Sequence, residues 1–256
     1  MKTIFKISDQ TKKVLIGIII IIGISFLVAY IYYTGKNEAE DPRIVQTKFM
    51  FREFNELMKD NKSYSALPLL DSIEYILRSV PGYKESYEPG IVYNDRGSAF
   101  LSIALYGTKD TTERIILLEK AKKNIDSAIA IYDTWIVQNR TLSKEELSER
   151  VRVFFPENDL AFKGKNYKSI LKKRVEDLLL AQKETQRRLS VCFTNLGIVQ
   201  RHQYKQNEAA ESYIKAIQLW KDNFTARNNF NVLMGRAPHD RSIINKLFPP
   251  DKNKFN

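Results

Sequence analysis

The chain has 256 residues, with 41 Lys and Arg against 30 Asp and Glu, two His and one Cys. That length supplies a substantial core without disulfide or metal staples; one cysteine forms no internal disulfide, and two histidines are too few for a zinc-type ligand set. Ten glycines and eight prolines in an ordinary globular composition disfavour a turn-rich sandwich and favour long helices.

Residues 14–33 (VLIGIIIIIGISFLVAYIYY) carry no charge. A helix of that length is about 30 Å long, the thickness of a bilayer's hydrocarbon layer, and Tyr30, Tyr32 and Tyr33 suit an interfacial belt. A retained transmembrane helix is expected. A cleaved signal peptide is the other reading, against which stand the length of the apolar run and the lack of a small-x-small site at its end. Lys2, Lys6, Lys12 and Lys13 precede the run, whereas Lys36, Arg43 and Lys48 follow it. The positive-inside rule therefore expects residues 1–13 as a short cytoplasmic tail and the body on the exported, periplasmic or otherwise extracytoplasmic, side.

After a polar linker at 34–41, the body at 42–235 reads as all-α, with no period-two run to suggest a sheet. Pro42 suits a first helical turn, and Pro81-Gly82 and Pro89-Gly90 punctuate. Helices are expected at about 91–106 and 111–137, separated by residues 107–110. Ser143 with Glu146 has capping-box spacing and opens a short helix that ends before Pro156. One long helix follows from Asn166 to about Tyr204, then two more near 207–222 and 224–234, then a polar tail at 236–256.

Self-similarity is the strongest signal. Phe193, Leu196 and Gly197 are followed by Ala209, Tyr213 and Ala216. Upstream, Tyr93 and Gly97 are followed by Ala121, Ile125 and Ala128, with 12 more residues between the halves, so the helices there must be longer. A weaker copy covers 47–80, with Ala66, Leu70 and Ile73, but with Phe54 where a glycine is expected. Small residues at such positions let two antiparallel helices approach closely, while aromatics fill gaps between turns. In these positions the chain resembles membrane-anchored tetratricopeptide repeat (TPR) proteins. It departs from their pattern at Gln200, where an aromatic is usual, and at Lys221, where a proline is usual. The resemblance implies an α-hairpin solenoid with repeats near 47–80, 90–133 and 190–223, inserted helices at 134–189 and a capping helix at 224–234. A generic helical bundle is the alternative.

The resemblance further implies a concave groove lined by the first helix of each repeat and able to hold a polypeptide. The groove would receive Lys48, Phe51, Arg52, Asn55 and Lys59 from the first repeat, Asn94, Asp95, Ser98 and Leu101 from the second, and Thr194, Asn195, Ile198, Arg201 and His202 from the third. Asparagines there can clamp a peptide backbone, and Lys or Arg can hold a carboxylate. Val191 and Asn195 stand where a strict carboxylate clamp would carry basic residues. A solvated polar face is the other reading of each of these residues.

The densest basic stretch, Lys163 to Arg174, is followed by Lys183, Arg187 and Arg188. It reads as a surface for anionic lipid or an acidic partner, or as a solvated helix with Glu176, Asp177 and Glu184 interleaved. No nucleic-acid motif accompanies it. No phosphate-cradling loop, HExxH or GxSxG is present, and Cys192 among Leu189, Phe193 and Leu196 reads as a small buried hydrophobe. His202 and His239 read as surface residues. No enzymatic activity, cofactor, metal, nucleic acid or small-molecule substrate is expected. The expected role is a membrane-anchored scaffold for a polypeptide partner, itself a membrane or envelope protein. The alternative is a chaperone-like accessory of protein export or envelope biogenesis.

Overall fold

The computed structural model describes residues 8–238, with backbone alone at 31, 32 and 34–38. His239, Lys2, Lys6 and most of the tail expected at 236–256 lie outside the described residues. All regular structure among the described residues is helical. Helix α1 (Asp9–Glu38) leads, followed by α2 (Val45–Lys59), α3 (Ser63–Ser79), α4 (Glu88–Ser102), α5 (Thr111–Asn139), α6 (Lys144–Phe154), α7 (Tyr167–His202), α8 (Gln206–Leu219) and α9 (Phe224–Leu233).

Helix α1 is apolar on all sides from Val14 to Tyr30, and its most apolar window has a mean hydropathy of 2.5 with none of it buried against the body. It is long and apolar enough to cross a bilayer. The linker expected at 34–41 is helical as far as Glu38, since no proline interrupts the chain before Pro42. Pro42 lies in a turn rather than in a first helical turn; the Ile44 amide donates to the Asp41 carbonyl, and α2 starts at Val45.

In the body, α2 packs on α3, α3 on α4, α4 on α5, α7 on α8 and α8 on α9. Helix α6 leaves this succession: it lies on α7, and α5 packs directly on α7. One apolar core runs through the whole body, from Phe54 on α2 to Ala226 on α9. The limits expected at 133/134 and 189/190 fall inside α5 and α7, because nothing in the sequence breaks either helix there. Pro89-Gly90 starts α4 rather than separating helices. Proline is tolerated in a first turn, and Gly90 is where a Cβ would meet the Tyr132 ring at 2.6 Å.

Side-chain caps set several boundaries. Asp110 Oδ1 accepts from the Glu113 amide at 2.9 Å, and Asn166 Oδ1 accepts from the Ser169 amide at 3.1 Å. Ser143 and Glu146 form the expected capping box: the Glu146 amide donates to Ser143 Oγ at 3.2 Å, and the Ser143 amide donates to Glu146 Oε2 at 2.7 Å. Buried Asn223 caps α9 by accepting from the Ala226 amide at 2.9 Å. Its own amide donates to Ser190 Oγ at 2.8 Å and Thr194 Oγ1 at 2.9 Å, so the same side chain starts α9 and fastens it to α7.

The hairpins α2–α3 and α7–α8 turn in the same way. In one, the Lys62 amide donates to the Leu57 carbonyl at 2.8 Å with Asn61 at φ 58°; in the other, the Lys205 amide donates to the Gln200 carbonyl at 2.9 Å with Tyr204 at φ 62°. These turns place Phe54, Ala66, Leu70 and Ile73 in register with Gly197, Ala209, Tyr213 and Ala216, all of them buried. The bulk is exchanged between the helices, Phe54 with Leu70 in one hairpin and Gly197 with Tyr213 in the other. A Cβ on Gly197 would lie 2.5 Å from Tyr213 Cε1, and one on Gly97 would lie 2.6 Å from Ile125 Cγ1 and 3.2 Å from the Ala121 carbonyl oxygen. The glycines thus stand where helices meet backbone to side chain. In the middle hairpin a π-helical turn at Ile103–Gly107 prolongs α4, and both helices overrun their counterparts.

Candidate functional site

Helices α2, α4 and α7 carry the residues expected to line a groove, and the structure divides them. On α2, Lys48, Arg52, Asn55 and Lys59 are exposed. Lys48 pairs with Glu40, and the Arg52 guanidinium lies 5.7 Å from the Phe49 ring centre. Phe51 is half-buried against the core. Asn94, Ser98 and Asn195 come together between α4 and α7: the Asn195 amide donates to Asn94 Oδ1 at 3.2 Å and to Ser98 Oγ at 3.0 Å. Both amide hydrogens are therefore engaged inside the protein, and Asn195 is a strut between helices.

Beside this seam lies Asp95. Burial pushes its carboxyl up to about 7, against the opposing effects of the Asn94 hydrogen bond and the Arg188 charge. Ile198 and Arg201 are half-buried, whereas His202 is exposed at the end of α7. Partial desolvation and the neighbouring Arg201 and Arg114 charges hold its imidazole below the usual range. Leu101 and Thr194 are buried, Thr194 by its bonds to the Ser190 carbonyl and Asn223, so neither offers a side chain to solvent. No hydrogen bond or ion pair among the described residues joins the α2 set to the α4–α7 seam.

The residues expected to pack the repeats lie in or against the core. Ala121, Ala128, Ala209, Tyr213 and Ala216 are fully buried, and Phe193 and Leu196 nearly so. Tyr93 is half-buried and bridges to α3, donating to Glu74 Oε1 at 2.7 Å and accepting from Arg78 at 2.8 Å. Cys192 is buried, and burial pushes its thiol far up.

A further concavity lies elsewhere. A cleft of about 620 Å³ opens between the α3–α4 connection, the end of α5, α6 and the first half of α7. Trp135, Leu147, Val151, Phe155 and Leu178 supply its apolar walls. Gln138 and Asn139 lie on one edge, with Arg78, Lys84, Glu85 and Arg150 around the mouth. Arg78 is paired with Glu74 at 2.7 Å. Arg150 donates to the Gln138 carbonyl and to Asn139 Oδ1, both at 3.3 Å, and it forms no ion pair among the described residues; nor does Lys84.

The cleft is framed by two fastenings, one buried and one half-buried. Arg174, expected as part of a basic surface, is buried: it pairs with Glu88, donates to the Gly82 carbonyl and to Ser86 Oγ at 3.0 Å each, and lies 4.1 Å from the Tyr83 ring centre. Burial alone would lower its basicity, but the Glu88 carboxylate together with Tyr83 and Tyr87 outweighs that and holds it above the usual range. Gln182 donates to the Asn139 and Leu142 carbonyls at 2.7 and 2.9 Å, fixing the α5–α6 turn. Sequence reasoning did not find this cleft. Its one legible signal was the amphipathic Leu147–Val151–Phe155 face of a helix outside the repeat pattern.

No group of three or more His, Cys, Asp or Glu side chains among the described residues could hold a metal ion. Comparison with protein-family models, curated proteins and solved structures gives no match for this chain.

Proposed function

We propose that this chain is a non-enzymatic scaffold held at a membrane by α1, with hairpins stacked in the manner of TPR repeats. Its partner is an acidic, apolar segment of a membrane or envelope protein. The equivalent turns of α2–α3 and α7–α8, and the close helix approaches at Gly97 and Gly197, support the repeat reading. The apolar run of α1, preceded by Lys12 and Lys13, supports an anchor with the body on the exported side.

The observation that carries the binding role is the cleft. Its apolar walls accept bulky side chains, while Lys84 and Arg150 at the mouth form no ion pair among the described residues, Arg150 acting on Glu146 only through its charge, and together they outnumber Glu85. On this reading the partner lies beside α6, whereas the groove implied by the resemblance has its Asn94, Ser98 and Asn195 engaged with one another.

A photo-crosslinking residue at Gln138 of the full chain, in native membranes, tests the reading. One or two stoichiometric adducts are expected, absent when the probe stands at exposed Tyr75 on α3 and lost with Lys84→Glu and Arg150→Glu. A broad client set at Gln138 would support the chaperone-like alternative, and the same adducts from both positions would refute a specific cleft.

A further inference from the structure

The α6–α7 connection is fastened to the chain that leaves α1. Arg43 lies five residues beyond the end of α1 and pairs with Asp41 at 2.8 Å and Asp159 at 3.3 Å. It also donates to the Phe154 carbonyl at 3.1 Å. Its guanidinium lies 4.2 Å from the Phe155 ring centre and 4.7 Å from that of Phe162. From Tyr33, the last residue of the apolar run, α1 continues to Glu38 at about 1.5 Å per residue. The five residues from there to Arg43 extend by at most about 3.5 Å each, so Arg43 stands within about 25 Å of the end of the span. Whatever Arg43 holds is therefore near the membrane that receives α1.

What it holds has the chemistry of a lipid-facing surface. Leu160, next to Asp159, is 84% exposed and free to enter an apolar medium. Lys163, Lys165, Lys168 and Lys172 follow, all exposed, and Lys168 and Lys172 share one face of the first turns of α7. Only Lys172 of the four has a carboxylate within ion-pair distance among the described residues, Glu176 at 3.9 Å. The acidic groups beside these lysines are Glu157 and Asp159 in the connection and Glu176 one turn beyond Lys172, and Arg43 neutralises Asp159. Lys173 and Arg174 do not belong to it, since they pair with Asp177 and Glu88.

We infer that the α6–α7 connection rests on the anionic lipid surface of the membrane that holds α1. Leu160 enters the headgroup region, and Lys163, Lys165, Lys168 and Lys172 face lipid phosphates. This inference rests on the reading of α1 as a membrane anchor, and it fixes how the body sits: the Arg43 clamp makes one end of the body lie against the bilayer.

The test uses the full chain, reconstituted in phosphatidylcholine vesicles with or without phosphatidylglycerol. An environment-sensitive dye is attached at Leu160→Cys, at Ile19→Cys in α1 or at Tyr75→Cys on α3; Cys192 is buried and stays unlabelled. Quenching by brominated lipid should be several-fold stronger at position 160 in the anionic vesicles than in the neutral ones. It should fall to the level of position 75 with Lys163→Glu, Lys165→Glu and Lys168→Glu. Equal quenching at 160 and 75 in anionic vesicles, with position 19 strongly quenched, overturns the inference and leaves the anchor standing. Position 19 without quenching in either vesicle overturns the anchor and this inference together.

Discussion

Replacing Gly197 with alanine puts one methyl group where α7 meets α8. That Cβ would lie 2.5, 2.7 and 3.0 Å from Cε1, Cδ1 and Cζ of Tyr213, against about 3.5–4.0 Å for an ordinary carbon contact. The ring must retreat by about 1 Å, yet it is fully buried and rigid, so the helices have to part instead. Overpacking of this kind costs about 1–3 kcal/mol, at the upper end where the obstacle is a ring. The gain in helix propensity from glycine to alanine returns about 1 kcal/mol. The net loss is about 2 kcal/mol, equivalent to a fall in Tm of roughly 4–8 °C for a chain of this size. Thermal unfolding of the full chain in detergent, followed by circular dichroism, measures it. Adding Tyr213→Leu should recover part of the loss, because Leu70 stands in register with Tyr213 in the hairpin that carries Phe54 in place of the glycine. A Tm for Gly197→Ala at or above that of the parent chain would refute the close approach, since propensity alone would then decide the sign.

Asp95 has a folded-state pKa of about 7 against an ordinary value of 3.8, so the fold favours its neutral form. The associated stability is fully present below about pH 4 and is lost as pH rises through 7. Asp95→Asn should accordingly be more stable than the parent at pH 8, by on the order of 4 kcal/mol, and similar to it near pH 4. Denaturant melts at both pH values check this, and equal differences at both would remove Asp95 as the source. Arg174→Ala should cost about 3–5 kcal/mol by leaving Glu88 buried without its partner, whereas Arg174→Met combined with Glu88→Gln should recover most of it. Failure of the pair to recover would mean that Arg174 matters through the Gly82 and Ser86 bonds instead. Cys192 should resist thiol reagents in the native chain and react fully in denaturant; native labelling would show that α7 is open there.

Much of the helical architecture is legible along the chain because its causes are local. The uncharged run before Lys36, the Ser143 box and the unbroken stretch after Asn166 each act within a few turns. The spacing of Gly197, Ala209 and Tyr213 was legible for another reason, since close packing of neighbouring helices demands small residues at fixed offsets. The candidate site was less accessible. Asn94, Ser98 and Asn195 stand where the resemblance implies a groove, and nothing local shows that they bond to one another about a hundred residues apart in sequence. Arg174 reads as one more cation in a basic run, because its partner Glu88 lies 86 positions away.

What the sequence alone determined is thus the all-helical character of the body, some helix starts such as that at Ser143, and an apolar rod long enough for a bilayer, all consequences of hydrophobic period and capping within one segment. What only the tertiary structure decided is which polar groups are already engaged and which remain available. Asn195 and Arg174 are engaged within the body, while Lys84, Arg150 and the lysines after Leu160 have little or no carboxylate pairing. The cleft, too, exists only where α6 leaves the succession of hairpins and lies on α7. The physical reason is that burial and pairing belong to surfaces brought together from distant segments, and a side chain's chemistry is set by what meets it there.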